Sequence, residues 1–418
     1  MALSHLLNTR LIALLRRNPN FAIFSAGNAV SLVGMWMERI AVGWLAWQLT
    51  ESGFWLGVVA FADFFPVVVI GPIAGAYADR LNRLRLVQIS QSLLLVEAGV
   101  LTALTATGTV NIWLLVALTA IHGVVVAFNQ PARLALIPSL VTTPDLAAAV
   151  AVNSVFFNLA RFIGPILAGL AIVASGVAMA FLINTLSYVA YLVALARIRV
   201  APETAAPSQP RGLWGDVGDG IRYAATHPGI AAVLFLGIAI GIGGRPLSEL
   251  LPGIADEVFH SGAAGLSILA SATGGGAILG GLWLSHRAHA SGLTAVAVAS
   301  SAVGALAGVA AIATDRLWLA VPAIAVCGFC MSASGISIQT LVQLAADRAM
   351  RGRVMGLYGL IFRGAPAVGA LAAGVASASF GLRWPVVFGA VLVLAVALWT
   401  YLHRARIAAA LEKSAQPP

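Results

Sequence analysis

The chain is poor in charge: 9% of its 418 residues are Asp, Glu, Lys or Arg, and lysine occurs once, at Lys413. Soluble domains carry about 25% charged residues, so a water-bathed globule is excluded. Acid is scarcer than base, 15 residues against 24, giving a net charge of +9. That excess would suit a nucleic-acid binder, but cationic residues held in the cytoplasmic loops of a membrane protein account for it, and no nucleic-acid partner is expected. Only two cysteines occur, Cys327 and Cys330. They lie at i, i+3 in apolar sequence away from any histidine cluster, which speaks for packing and against a redox or zinc role. Metal-ligand spacing and nucleophile–base motifs are missing. The run Gly274-Gly-Gly276 lacks the Lys-Ser or Lys-Thr of a phosphate loop. Neither an enzyme, a metal, a cofactor nor an ATP-driven pump is expected.

What the chain has is apolar length. Hydrophobic residues make up 60% of it, and mean hydropathy is +0.95. Windows bounded by Gly, Pro or charge predict helical spans near 21–49, 53–78, 85–106, 111–130, 146–173 and 176–197, then near 229–251, 264–285, 292–313, 317–341, 353–380 and 384–402. At about 1.5 Å per residue each can cross a hydrocarbon core of about 30 Å. The fold class is therefore an all-α membrane protein, twelve spans in two six-helix bundles. Residues 1–20 read as a cytoplasmic amphipathic segment rather than a cleaved signal, 21–198 and 229–403 as the bundles, 199–228 as a cytoplasmic linker and 404–418 as a tail. Sorting cations by loop puts both termini inside: Arg80, Arg83, Arg85, Arg133, Arg348, Arg351 and Arg353 fall on the cytoplasmic side, and only Arg316 and Arg383 outside. Abundant Ala, Gly and Arg point to a bacterial inner membrane.

The halves echo each other, as in transporters built from repeats. Gly75-x-x-x-Asp79-Arg80 after the second span is matched by Gly281-x-x-x-Ser285-His286-Arg287 after the eighth. Arg161, Gly164 and Pro165 are matched by Arg363, Ala365 and Pro366, marking helix kinks at Pro165 and Pro366.

Charges inside spans cost about 2.5 to 3.5 kcal/mol each unless paired or wetted, so each asks for a partner or a purpose. Arg39 and Asp63 each lie twelve residues from Glu51, so a hairpin turning there brings both about 18 Å below the turn. An Arg39–Asp63 pair follows, while Glu38 points about 100° away around the helix. Asp63 and Glu38 are proton-coupling candidates, with Glu97 a third; a permanent structural bridge is the alternative for Asp63. Arg161 faces the interior, toward substrate or Glu97, and Arg363 is its counterpart. Arg245 and Glu249, at i, i+4, pair with each other. Trp36, Trp44, Phe64, His122 and Asn158 are cavity candidates, His122 being either a proton relay or a simply hydrogen-bonded side chain. Gly71–Gly75, Gly276–Gly280 and Gly304–Gly308 offer small faces for close helix approach.

The run Gly75-Ala-Tyr-Ala-Asp79-Arg80-Leu-Asn82-Arg83 resembles the signature loop of the major facilitator superfamily, G-x-x-x-D-[RK]-x-G-[RK], with Asn82 at the second glycine. Asn tolerates the left-handed backbone such a glycine adopts, so the turn is expected to survive. Gly164-Pro165-x-x-x-Gly169 is similar to the span 5 motif of the superfamily's exporters. A narrower likeness, to the enterobactin exporter-like, drug-efflux branch, rests on Gly34-Met-Trp-Met-Glu-Arg39 with Gly43-Trp44, on Asn129-Gln-Pro131-Ala-Arg133, and on Arg351-Gly-Arg353. The span 4 arginine of many drug antiporters is replaced by Thr119, which excludes coupling through it. The resemblance implies the major facilitator fold, a gating latch formed by Gly75, Asp79, Arg80 and Arg83, and a peripheral place for Glu97. It further implies a monomer that exports a small amphipathic or hydrophobic compound, a drug or siderophore, by proton antiport and alternating access. The proton motive force would drive it, and membrane lipids would surround it. The alternatives are an uncoupled facilitator or lysophospholipid transporter of the same fold, and a non-transporting receptor or scaffold.

Overall fold

The computed structural model describes residues 13–78, 81–200, 213–287 and 291–412. Among them the secondary structure is helical throughout, and twelve helices are long and apolar enough to cross a membrane. The first six are α1 (Pro19–Thr50), α2 (Gly53–Ala78), α3 (Arg83–Ala106), α4 (Ile112–Leu136), α5 (Leu146–Ser175) and α6 (Val177–Arg197). A surface helix α7 (Leu213–Thr226) precedes the seventh span, which is assembled from α8 (Pro228–Ala239), a π-helical stretch (Ile240–Gly244), α9 (Pro246–Gly253) and a second π-helical stretch (Ile254–Val258). Then come α10 (Gly262–Ser285), α11 (Leu293–Ile312), α12 (Leu317–Ala345), α13 (Arg351–Phe380), α14 (Arg383–Leu402) and a short α15 (Arg404–Leu411).

Local chemistry sets the ends. Asn111 accepts a hydrogen bond from the Leu114 N–H at 3.0 Å and so caps α4. Asn82 caps α3 in the same way through the Arg85 N–H at 3.0 Å, with φ −63° and ψ 110°. The left-handed turn expected at Asn82 is therefore absent: an extended N-cap needs a short side-chain acceptor, which Asn supplies and Gly lacks. The α5–α6 junction is Gly176, at φ 82° and ψ 172°, and the α13–α14 junction is Gly381, at φ 75° and ψ 174°. Only glycine adopts that region without large strain. The α1–α2 turn carries Glu51 at φ 45°, and the turn before α10 carries His260 at φ 49°. Equivalent turns of the two halves thus match, Gly176 and Gly381 in both angles and Glu51 and His260 in a left-handed φ, a repeat more exact than the sequence pairs suggested.

By contacts the chain divides into two units, the described parts of Met1–Val42 with Val69–Ser208, and of Gly43–Val68 with Gln209–Pro418. In the first, Leu14, Phe21, Phe24, Leu136, Tyr191 and Leu195 form a buried core, with Phe24 and Tyr191 edge to face at 6.0 Å between centroids. In the second, Ile230, Leu236, Leu341, Val342, Ile407 and Leu411 form another. Lipid is as apolar as these side chains, so helix association relies on close packing. Gly276 and Gly280 of α10 lie on the backbone of α12 at Ala325 and Phe329. Gly304 and Gly308 receive Cys330 and Cys327, both free thiols used as packing. Gly71, expected to provide a small face, has nothing within 4 Å of where a Cβ would be.

Two segments expected to be simple connections are structured. Helix α7 packs on the second unit through buried Ala224, an Asp219–Arg353 ion pair at 3.2 Å and the Asp347 N–H donating to the Tyr223 hydroxyl at 3.2 Å. Helix α15 buries Ile407 and Leu411, and the Glu412 carboxylate accepts from the N–H groups of Gly292 and Thr294 at 2.8 and 3.0 Å, closing the start of α11. Arg133, sorted above with the loop cations, is instead inside α4, which runs past the expected end, and donates to the Asn28 side-chain oxygen at 3.3 Å.

Candidate functional site

The site grows out of α1, whose two faces serve two different clusters. Gly27 and Gly34, two turns apart, let α6 approach: a Cβ at Gly27 would lie 2.6 Å from the Ala194 Cβ, and one at Gly34 would collide with Ser187 and Asn184. One turn beyond Gly34, Glu38 is thereby brought against α6 and is only 4% exposed. Asn184 and Tyr188 both donate to its Oε2, the phenol at 3.2 Å.

Glu38 has further company. Glu97 of α3, 5% exposed, and His122 of α4 converge on it. The His122 Nδ1 lies 3.5 Å from Glu97 Oε2 and 3.9 Å from Glu38 Oε1. The three donor atoms fall within 4.8 Å of one another. Two buried carboxylates this close are held more cheaply with a proton than with two full charges, and an imidazole beside them can give or take it. The same donor types could gather a divalent cation. Glu97 is thus central to the first unit, not peripheral as the family resemblance implied, because α3 turns a polar face (Ser90, Gln91, Glu97) inward. His122 belongs to this cluster rather than to a cavity wall.

The other face of α1 carries Trp36 and Arg39. A Cβ on Gly164 of α5 would run into Trp36, so the two helices cross there with almost no space. One and two turns before Gly164 stand Arg161 and Phe157. The Arg161 guanidinium lies 5.7 Å from the Trp36 ring centroid, the Arg39 guanidinium 6.0 Å, and Phe157 meets the indole edge to face at 5.9 Å. Arg161, Trp36 and Arg39 therefore form one cluster and Glu38 with Glu97 another, as the angular separation of Glu38 and Arg39 required. Helix α5 runs unbroken through Pro165, and Asn158, expected to face a cavity, donates to the Ser154 carbonyl of its own helix at 2.8 Å.

The second unit repeats the contact with the roles of its helices exchanged. A Cβ on Gly241 of the seventh span would lie 2.5 Å from the Ala365 Cβ of α13 and 3.1 Å from Pro366. The cation–π pair there joins Arg245 of the seventh span to Phe362 of α13, at 5.3 Å. Arg245, Tyr358, Phe362 and Pro366 help to line a cavity of about 40 Å³. A neighbouring one of about 50 Å³ is lined by Thr273, Ser300, Ser301 and both cysteines among others. Asp63 lies within electrostatic reach of Arg363. Trp44 is 7% exposed, and Trp47 donates its indole N–H to Asp256 at 2.8 Å. Phe64 and Glu249 are half-buried.

A family model described as transmembrane secretion effector, of the major facilitator type, matches residues 12–417. The chain belongs to that family. Among characterised relatives of this secretion effector, the staphyloferrin A transporter of Staphylococcus aureus is 26% identical over 259 residues, 60% of this chain and 64% of the relative. Macrolide efflux protein A of Streptococcus pyogenes is 25% identical over 62% of this chain and 64% of its own. With these two the match spans about 64% of the relative's length. The enterobactin exporter EntS of Escherichia coli O1:K1 is 25% identical over 83% of this chain and 82% of its own. Solved structures share the fold: an inward-facing bacterial homologue of the human lysosomal transporter Spinster, at TM-score 0.72 and 14% identity over 96% of this chain and 99% of that one, and the nucleoside transporter NupG, at 0.72 and 13% over 92% and 98%. These relatives are transporters, not enzymes.

Of the secretion effector's signature loop, Asp79 and Arg80 lie outside the described residues, and of Gly75 only its place in α2 is described. Arg83 donates to the Ala135 carbonyl at 3.3 Å, tying the start of α3 to the end of α4. Sequence reasoning missed Asn184 and Tyr188. The available signal was polar residues at i, i+4 in an apolar helix, the spacing that puts both on one carboxylate.

Proposed function

We propose that this secretion effector exports a small amphipathic or hydrophobic compound, such as a drug or siderophore, by proton antiport with alternating access. The observation that carries the reading is the buried Glu38–Glu97–His122 constellation. Three titratable groups buried together, Glu38 among them held by Asn184 and Tyr188, are costly to fold and add nothing to packing that Leu would not, so a proton task explains them. The macrolide efflux and enterobactin exporter relatives support an outward direction, and these two with the staphyloferrin A transporter support a small-molecule cargo. In this reading the protein is a monomer in a bacterial inner membrane with both termini cytoplasmic, as the cation distribution implies. Each inward proton charge supplies about 2.3 kcal/mol per 100 mV, roughly a fifty-fold concentration ratio.

The test is flux in proteoliposomes with an imposed pH gradient. Wild type should concentrate substrate in proportion to the gradient. Glu38→Gln and Glu97→Gln should still bind substrate and exchange it down its own gradient, yet lose at least tenfold of proton-driven accumulation. Undiminished accumulation in both variants would assign the carboxylates to structure and favour an uncoupled facilitator.

A further inference from the structure

We propose that the first unit carries a second site, in which Arg133, Asn28 and Asn153 bind the phosphate group of an anionic phospholipid or of a free phosphate compound. The site stands apart from the export reading, since none of the three side chains belongs to the Glu38 cluster. Arg133 lies in the last turn of α4, where an arginine that served topology alone would run its head out to the membrane surface. It turns inward instead. Nη1 donates to Oδ1 of Asn28, a residue 1% exposed, and Nε is closed off from solvent. That hydrogen bond, at 3.3 Å, is all the side chain makes, and it forms no ion pair among the described residues. The ionisable groups within its electrostatic reach are the phenols of Tyr191 and Tyr188, neither of them a carboxylate. A guanidinium cannot shed its proton, so an inward-turned one without counter-charge weakens the fold until an anion arrives.

The hydrogen bonds fix what the site presents. Because Arg133 can only donate, Asn28 must offer it oxygen. The Asn28 amide then points to Asn153, donating to its Oδ1 at 3.2 Å, and Asn153 is left presenting its own NH2 group. Nη2 of Arg133 and Nδ2 of Asn153 have no partner among the described residues and, unlike Nε, neither is closed off. The chain from α4 through α1 to α5 therefore ends, on both sides, in groups that only donate.

Behind it the first unit adds no acceptor charge. Tyr191, 0% exposed and edge to face with Phe24 at 6.0 Å, keeps its hydroxyl without a partner among the described residues. Gly27 allows that approach, since a Cβ there would lie 3.0 Å from Cδ2 of Tyr191. Phosphate oxygens accept from several N–H groups at once, and the guanidinium edge matches two of them. The cation distribution puts these helix ends at the cytoplasmic face, where anionic headgroups and soluble phosphates are both at hand. A phosphate seated here would accept from α4 and α5 together and neutralise Arg133.

The test follows the melting temperature of the purified full-length protein in lipid nanodiscs under three conditions: phosphatidylcholine discs in chloride, the same discs with inorganic phosphate replacing chloride at equal ionic strength, and discs rich in phosphatidylglycerol in chloride. Wild type should melt several degrees higher in at least one anionic condition, because a ligand that binds only the folded form raises its stability. A gain with inorganic phosphate identifies a free phosphate ligand, and a gain confined to phosphatidylglycerol a lipid headgroup. Arg133→Gln should change the order: in phosphatidylcholine and chloride it should melt no lower than wild type, since the uncompensated charge is gone, and in the anionic condition it should fall below. Asn153→Asp places a fixed negative charge in the site, so it should melt above wild type in chloride and lose most of the gain. No gain in wild type from either source would overturn the proposal. So would an equal gain in Arg133→Gln, which marks a general salt or lipid effect, or an Arg133→Gln protein destabilised alike in all three conditions, which assigns the arginine to structure. If Arg133→Gln does not fold, Asn153→Asp decides, and a variant that melts below wild type in chloride while keeping the whole gain counts against the site.

Discussion

At the scale of single residues, the first unit separates opposite charges that are neighbours in sequence. Glu38 and Arg39 diverge around α1, one held by Asn184, Tyr188 and His122, the other stacked toward Trp36. Removing the partner of a buried polar group costs about 1 to 3 kcal/mol, so the donors to Glu38 should matter to stability as well as to transport. Tyr188→Phe should lower the unfolding free energy by about that much. Thermal denaturation followed by circular dichroism reads the change. A Tyr188→Phe protein as stable as wild type would mean the phenol contributes nothing to holding the carboxylate.

Among the elements, the tightest associations are made by glycine, and some of them recur at equivalent places. Gly164 lies on Trp36 in one unit and Gly241 on Ala365 in the other, while α10 meets α12 at Gly276 and Gly280. Gly276→Leu must force two backbones apart, and overpacking of this kind costs about 1 to 3 kcal/mol or more. Its melting temperature in detergent should fall by several degrees, whereas Gly71→Ala, where nothing lies within 4 Å, should leave it unchanged. A Gly71→Ala protein that melts as early as Gly276→Leu would show that helix propensity, not close approach, governs these sites. Spans were legible in the sequence because apolar length is a one-dimensional signal; Pro165 and Gly164 were legible because few residue types do their jobs. What could not be read was which carboxylate meets which helix. Asn184, Tyr188 and Glu97 come from elements far apart in the chain, and only the packing angle of α1 against α6 and α3 brings them to Glu38.

For the whole molecule, the repeat is written most clearly in backbone angles. Gly176 and Gly381 share both angles and Glu51 and His260 a left-handed φ, although neither pair was matched in sequence. Selection on a turn acts through φ and ψ, which several residues can satisfy, whereas the charged motifs of the two halves have drifted, Asp79 against Ser285. The second unit also draws on segments outside its spans. Helix α7 holds α13 through Asp219 and Arg353, with side-chain exposures of 58% and 26%. A pair so exposed contributes at most about 1 kcal/mol, so Asp219→Asn should shift the melting temperature by no more than a few degrees.

The carboxylate of Glu412 has a consequence for how this protein is made. It closes the amino end of α11, and Leu411 beside it packs on Gly229 at the start of the seventh span. Both belong to a stretch that is synthesised after every span of the second unit. The contacts that close α11 and the start of the seventh span are therefore the last to be made, and a chain truncated before α15 should be less stable than one that includes it.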